Sequence, residues 1–255
     1  MTPLFIIGLV LSGLIGLSLG LIGGGGSILT VPILVYFLGV GPHEAVTMSL
    51  AVVGATSLLG SFLHYGKNNI DLRVGALFGA SGIIGAFIGS PLTALVSSEV
   101  LLLSFGVLML VVALLMIRRR NRTADNPEHR PHLVQAILAG LGVGVLTGFL
   151  GVGGGFLIVP ALVLFGGLDM RKAIGTSLFV IFLNCVAGLI GHLGKEVLDF
   201  GLTFVVMVLA VGGAVAGTMV SHRVAPRHLQ KIFAGLVLGV GTFLVFKNYA
   251  IIFQN

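Results

Sequence analysis

Charge is nearly absent from this chain. Its 255 residues hold 14 Lys and Arg and 8 Asp and Glu, 9% in all, against roughly 25% in an ordinary soluble domain. With 56% apolar residues and a mean hydropathy of +1.15, there is too little polar surface to wrap a water-soluble fold. The same figures exclude disorder, which requires low hydrophobicity and high net charge. The apolar runs are long and continuous rather than alternating, which excludes a membrane barrel. Cysteine is limited to Cys185, so no intramolecular disulfide can form, and within an apolar run it reads as a small hydrophobe. Tryptophan is absent and tyrosine numbers three, leaving the interfacial aromatic belt thin. The first 20 residues lack a basic start and a small-residue cleavage site, so they read as a retained helix rather than a leader. What remains is an all-α polytopic membrane protein.

Acidic side chains are missing from every segment centre. Glu44, Asp71, Glu99, Asp125, Glu128, Asp169, Glu196 and Asp199 fall in loops or at segment ends, and no Lys lies mid-segment. Cation pathways place carboxylates at mid-membrane to offset desolvation. Their lack points to an anion or a neutral solute. There is no HxxxH pair, no paired cysteines and no arguable Ser-His-Asp set, and no Lys-Ser/Thr follows a glycine run as a phosphate loop requires. The expectation is a protein that is not an enzyme, takes no cofactor or metal, and is not driven directly by ATP. The net charge of +6 comes from basic residues in loops, which orient a membrane protein and do not call for nucleic acid.

Glycine, by contrast, is abundant at 40 residues, and its placement reveals a duplication. Shifted by 128 residues, 16–90 aligns without a gap on 144–218, with 24 identities in 75 pairs. Composition explains matched Gly and Leu, but not His64/His192, Lys67/Lys195 and Asp71/Asp199 in one frame. A basic linker at 118–132 separates an N-terminal repeat, 1–117, from a C-terminal repeat, 133–255. The first repeat has apolar segments at 3–22, 27–40, 45–65, 73–96 and 100–117; the second has them at 133–150, 155–168, 173–193, 200–220 and 229–247. Segments two and seven hold 14 residues, about 21 Å as helix against a hydrocarbon core of about 30 Å. Each follows a glycine cluster directly, the mark of a broken helix or re-entrant hairpin. With the linker in the cytoplasm, five crossings per half leave only Lys195 and Lys247 outside, whereas four crossings split the basic residues nine to five. The positive-inside rule therefore favours two inverted five-segment repeats with both termini outside.

The glycine clusters are the strongest candidates for chemistry. Gly23-Gly24-Gly25-Gly26-Ser27 and Gly151-Val152-Gly153-Gly154-Gly155 each open a short helix containing Pro32 or Pro160. The first amides of a helix lack internal partners and lie at the positive end of its dipole, so glycines there build an anion site from backbone alone. Gly24, Gly25, Gly26, Ser27, Gly153, Gly154 and Gly155 are the expected ligands; close helix packing is the alternative use of the same glycines. Ser49, Thr176, Ser177 and Asn184, in the third segments, could donate to an oxyanion or bond to their own helices. His64 and His192 end those segments, each three residues before a Lys. They are candidates for a gate or proton relay, or for interfacial residues that meet headgroups.

These features resemble a known family. The glycine cluster before a short Pro-containing helix, its duplicate at 151–155 and the following Gly175-Thr176-Ser177-Leu178 look like the sulfite exporter TauE/SafE family of bacterial membrane transporters. The likeness covers nearly the whole chain. The first half departs from it, with Thr47-Met48-Ser49 where the second has Gly-Thr-Ser. The resemblance implies a secondary transporter in the bacterial inner membrane that exports a small anion such as sulfite, an organosulfonate or an organic acid. Its expected partners are that anion, membrane lipid and a coupling proton. An uncoupled anion channel and a non-transporting membrane subunit are the alternatives.

Overall fold

A computed structural model describes residues 3–89, 91, 98–118, 133–150, 155–192 and 199–253. Among them the chain forms ten α-helices and no strand: α1 (Pro3–Ile22), α2 (Gly26–Tyr36), α3 (Pro42–Tyr65), α4 (Leu72–Gly89), α5 (Ser98–Arg118), α6 (Leu133–Leu150), α7 (Gly155–Leu164), α8 (Met170–His192), α9 (Phe200–Arg223) and α10 (Pro226–Phe253). Five of them are long and apolar enough to cross a bilayer, at Leu4–Ile22, Glu44–Tyr65, Leu72–Gly89, Met170–Ile190 and Phe200–Ser221. Large apolar side chains face outward, including Phe87, Phe200 and Phe246 at 78–82% exposure. Such a surface is untenable in water and suits lipid. The polar linker beyond Arg118 lies outside the described residues.

The two short helices are shorter than the hydropathy implies. α2 and α7 have 11 and 10 residues, roughly 16 and 15 Å. Both stop early for the same local reason. Phe37 and Leu38 donate to Ile33 O and Val40 to Leu34 O; Phe165 and Gly166 donate to Ala161 O and Leu168 to Leu162 O. Each of these caps turns through a left-handed glycine, Gly39 (φ 70°) or Gly167 (φ 68°), a conformation that side chains other than glycine rarely accept. The remaining apolar residues of the two segments form non-helical links to Pro42 and Met170.

Acidic side chains cap the long helices rather than entering them. Asp71 Oδ1 accepts from Val74 N–H, Asp169 Oδ1 from Arg171 and Lys172 N–H, and Asp199 Oδ1 from Leu202 N–H. A carboxylate there satisfies an orphan amide and offsets the helix dipole.

Glycines set the helix pairing. A Cβ on Gly16 would collide with Ala210 O, on Gly20 with Ala214 O, on Gly213 with Gly13 O and on Gly217 with Leu17 O. α1 and α9 therefore run parallel with their backbones touching. The same four contacts recur 128 residues along, Gly144 on Gly82 O, Gly148 on Ala86 O, Gly85 on Leu141 O and Gly89 on Val145 O, joining α6 to α4. Without a hydrophobic driving force in lipid, such close approach is what holds helices together.

Equivalent helices pair differently. α3 lies against α8 with Leu50 by Gly188, Gly54 by Cys185, Gly60 by Leu178 and His64 by Gly175. α5 lies against α10 with Gly106 by Val245 and Met116 O accepting from Gln230 Nε2. Both pairs run antiparallel. Further contacts gather helix ends: Asp71 N–H donates to Thr176 Oγ1 and Arg171 to Val224 O. Lys67, Arg73, Arg118, Arg171, Lys172, Arg223, Arg227 and Lys231 all belong to this end of the bundle. At the opposite end, Asp199 N–H donates to Glu44 Oε1.

Gly20→Val should weaken the α1·α9 pair strongly, because the branched side chain meets backbone that cannot move aside. The expected loss is about 1–3 kcal/mol or more, read as a lower thermal midpoint in detergent. Gly142→Val, at a helical position with nothing within 4 Å of its Cβ, should leave the midpoint nearly unchanged.

Candidate functional site

The chain leaves α1 through Gly23 (φ 86°) and turns back into α2. The two helices form an antiparallel pair, with Gly8 against Phe37 and Leu38, and Gly26 against Ile15 and Leu19. α2 thus runs from the interior of the bundle to the Glu44/Asp199 end, where Leu34 and Leu38 pack in one cluster with Ala45, Met48 and Val206. α7 runs from the interior to the basic end, where Met170 starts α8.

The N-termini of these two helices meet. A Cβ on Gly24 would collide with Gly155 O, and one on Gly155 would stand 2.5 Å from Ser27 Oγ. Ser27 and Gly155 are equivalent positions in the 128-residue frame, so each repeat contributes the same point of its short helix to this contact. The two positive dipole ends converge on one region, and each helix departs from it in the opposite direction. Such a junction attracts an anion and repels a cation.

The third helix of each repeat, α3 or α8, brings hydroxyls to this region unevenly. Ser177 is fully buried on α8, and its Oγ would stand 2.6 Å from a Cβ on Gly23. In the protein that hydroxyl donates to Ile174 O at 2.7 Å. Ile181, one turn on, lies against Gly155. Asn184 follows on the same face, and its Oδ1 is buried with no hydrogen-bond partner among the described residues. Ser49, the counterpart of Ser177, is partly exposed and donates to Val46 O at 2.7 Å. Thr176 turns away from the junction, and its hydroxyl accepts from Asp71 N–H at 3.0 Å and ties the α3–α4 loop to α8.

His64 is 1% exposed. The reading in which it meets headgroups beside Lys67 does not hold for this histidine: Lys67 is exposed whereas the His64 side chain is packed inward against Gly175. The reason is local. Lys67 and Asn69 N–H both donate to His64 O, and the loop then folds onto α8, covering the ring. His192 closes α8; its side chain, together with Gly153 and Gly154, lies outside the described residues.

Two residues carried more than the sequence reading assigned them. Ser18 and Ser57, like Thr218, are buried hydroxyls without partners among the described residues. Ser57 lies on the α8-facing side of α3, between Gly54 and Gly60. Neither has an equivalent hydroxyl in the other repeat, where Leu146 and Cys185 stand, so duplication gave no signal for them.

The comparisons with known proteins give the family. The sequence model of the family described as Sulfite exporter TauE/SafE matches residues 7–244. A "Probable membrane transporter protein" of Xylella fastidiosa (strain 9a5c) is 35% identical over 245 residues, covering 93% of this chain and 94% of the relative. "Probable membrane transporter protein YdhB" of Bacillus subtilis (strain 168) is 31% identical over 208 residues, covering 80% and 85%. "Probable membrane transporter protein YunE" of the same organism is 26% identical over 265 residues, covering 94% and 97%. No solved structure matches. The chain is therefore a membrane-embedded protein belonging to the sulfite exporter TauE/SafE family of membrane transporters.

Proposed function

We propose that this chain is a secondary transporter that exports a small anion, such as sulfite, an organosulfonate or an organic acid, by alternating access. The observation that carries the reading is the convergence of the α2 and α7 N-termini at Gly24, Ser27 and Gly155. The substrate rests there on amides of both short helices. Ser177 and Asn184 supply side-chain donors from α8, and Ser49 serves the equivalent position on α3.

The two halves are inverted in the membrane. Antiparallel packing of α3 on α8 and of α5 on α10 supports this, because equivalent helices of parallel repeats would run the same way. The basic end of the bundle is cytoplasmic, in the inner membrane, by the positive-inside rule. Each half then contributes four helices that cross and a short one that returns from the interior. Access alternates as the α1·α9 and α4·α6 pairs, each joining one half to the other, rock about the junction. A buried His64 beside the α8 N-terminus is the group through which a proton couples to that motion.

In proteoliposomes of the purified protein, sulfite or an organosulfonate should show saturating flux, and sodium or potassium none. Gly24→Val should abolish it. Absence of anion flux under any imposed pH gradient would contradict the transporter reading. In a Cys185→Ala background, cysteines placed at Lys172 and at Lys195 should label from opposite faces of the membrane. Labelling from one face would rule out inversion.

A further inference from the structure

Hydroxyls on the described helices usually bond back to their own helix. Ser12 donates to Gly8 O, Thr30 to Gly26 O, Ser81 to Phe78 O and Ser221 to Thr218 O. This is the ordinary way a buried hydroxyl is satisfied in a membrane helix. Ser18, Ser57 and Thr218 depart from it. Of these, Ser18 is the one that lies beside the α2 N-terminus; it is 8% exposed, and its Oγ is buried with no hydrogen-bond partner among the described residues.

The position of that hydroxyl gives it a use. It lies 3.5 Å from where a Cβ on Gly25 would stand, and Gly25 is the N-cap of α2. Gly25 is unlike its neighbours in the cluster. A Cβ on Gly24 or Gly26 would collide with Gly155 O or Ile15 O, and one on Gly23 would press on Ser177 Oγ and Ile174. Packing therefore requires glycine at 23, 24 and 26. At Gly25 the Cβ would meet only Ser18 Oγ and Leu236 Cδ2, both at 3.5 Å, an ordinary contact distance. On this one side the α2 N-terminus meets a hydroxyl and an apolar side chain rather than backbone.

We infer that Ser18 is a specificity-determining residue, its hydroxyl donating to an oxyanion held on the first amides of α2 while Leu236 of α10 flanks an apolar substituent of the same molecule. The substrate class that fits is a monovalent oxyanion with a short apolar group, as in an alkanesulfonate. The counterpart of Ser18 is Leu146, so the arrangement is not repeated in the other half and the anion is held with its head toward α2. The inference rests on the transporter reading and deepens it.

The test is anion-dependent thermal stabilisation of the purified full chain in detergent, with methanesulfonate as the probe and flux in proteoliposomes measured alongside. Wild type should be stabilised. Ser18→Ala should need at least about tenfold more methanesulfonate for the same shift, the effect of removing one hydrogen bond to a charged group. Without anion it should melt at or above the wild-type midpoint, because a buried hydroxyl with no partner has been removed. Ser18→Thr should restore the response. Gly25→Ala should keep the midpoint of the anion-free protein and lose the response. If wild type responds and Ser18→Ala responds at the same concentrations, the inference about Ser18 fails and the transporter reading stands. If Ser18→Ala is destabilised without anion and Ser18→Thr does not restore binding, the residue is structural and the inference is overturned. If wild type neither responds nor carries anion flux, both readings fall together.

Discussion

Two helix N-termini face one another in the interior of this protein, and most of the fold can be read as what is needed to hold them there. Each end carries roughly half a positive charge. Two such half-charges repel, by roughly 1 kcal/mol for any pair about 5 Å apart at an effective dielectric of about 20. An anion between them replaces that repulsion with two attractions. The geometry is possible only because Gly24 lets the backbone of one short helix meet that of the other and Gly155 leaves room for the Ser27 side chain. It persists because α1 and α6 are locked onto α9 and α4 by glycines of the opposite half. Neither half can move its short helix without moving a long helix of the other, which couples the central junction to the exterior of the bundle.

This constraint explains where polarity went. Acids cap helices at the two ends of the bundle, and the described basic residues other than Lys247 crowd one end. The interior around the junction holds backbone amides, a few hydroxyls and Asn184. Fixed dipoles recognise an anion without a buried counter-charge, whose desolvation in lipid would be costly.

Much of this was legible in the residues. The duplication, the ten helices and the shortness of α2 and α7 follow from an ungapped 128-residue frame, hydropathy and two glycine clusters. The early stop of α2 and α7 was also present, in Gly39 and Gly167, but a left-handed cap within an apolar run leaves no trace in hydropathy. Which glycines pack and which face open space was not legible, because that depends on what lies opposite: Ala214 for Gly20, Gly155 for Gly24, and Ser18 with Leu236 for Gly25. His64 illustrates the same limit. Next to Lys67 in sequence it looks interfacial, yet the α3–α4 loop, tied to Thr176 through Asp71, folds over it. Ser18 carried no signal because its counterpart is Leu146, and the repeat was the principal guide to function.

The central claim is that positive potential converges at Ser27. Its most direct test is the pH dependence of the thermal midpoints of Ser27→Asp and Ser27→Asn. A carboxylate between two helix N-termini is attracted by both positive dipole ends, an attraction that the amide of the same shape lacks and that protonation removes. The account predicts that Ser27→Asp melts above Ser27→Asn at pH 7 and that the gap closes on acidification. A Ser27→Asp protein that melts well below Ser27→Asn at pH 7 and recovers only in acid would behave as an ordinary buried carboxylate, and would contradict the claim.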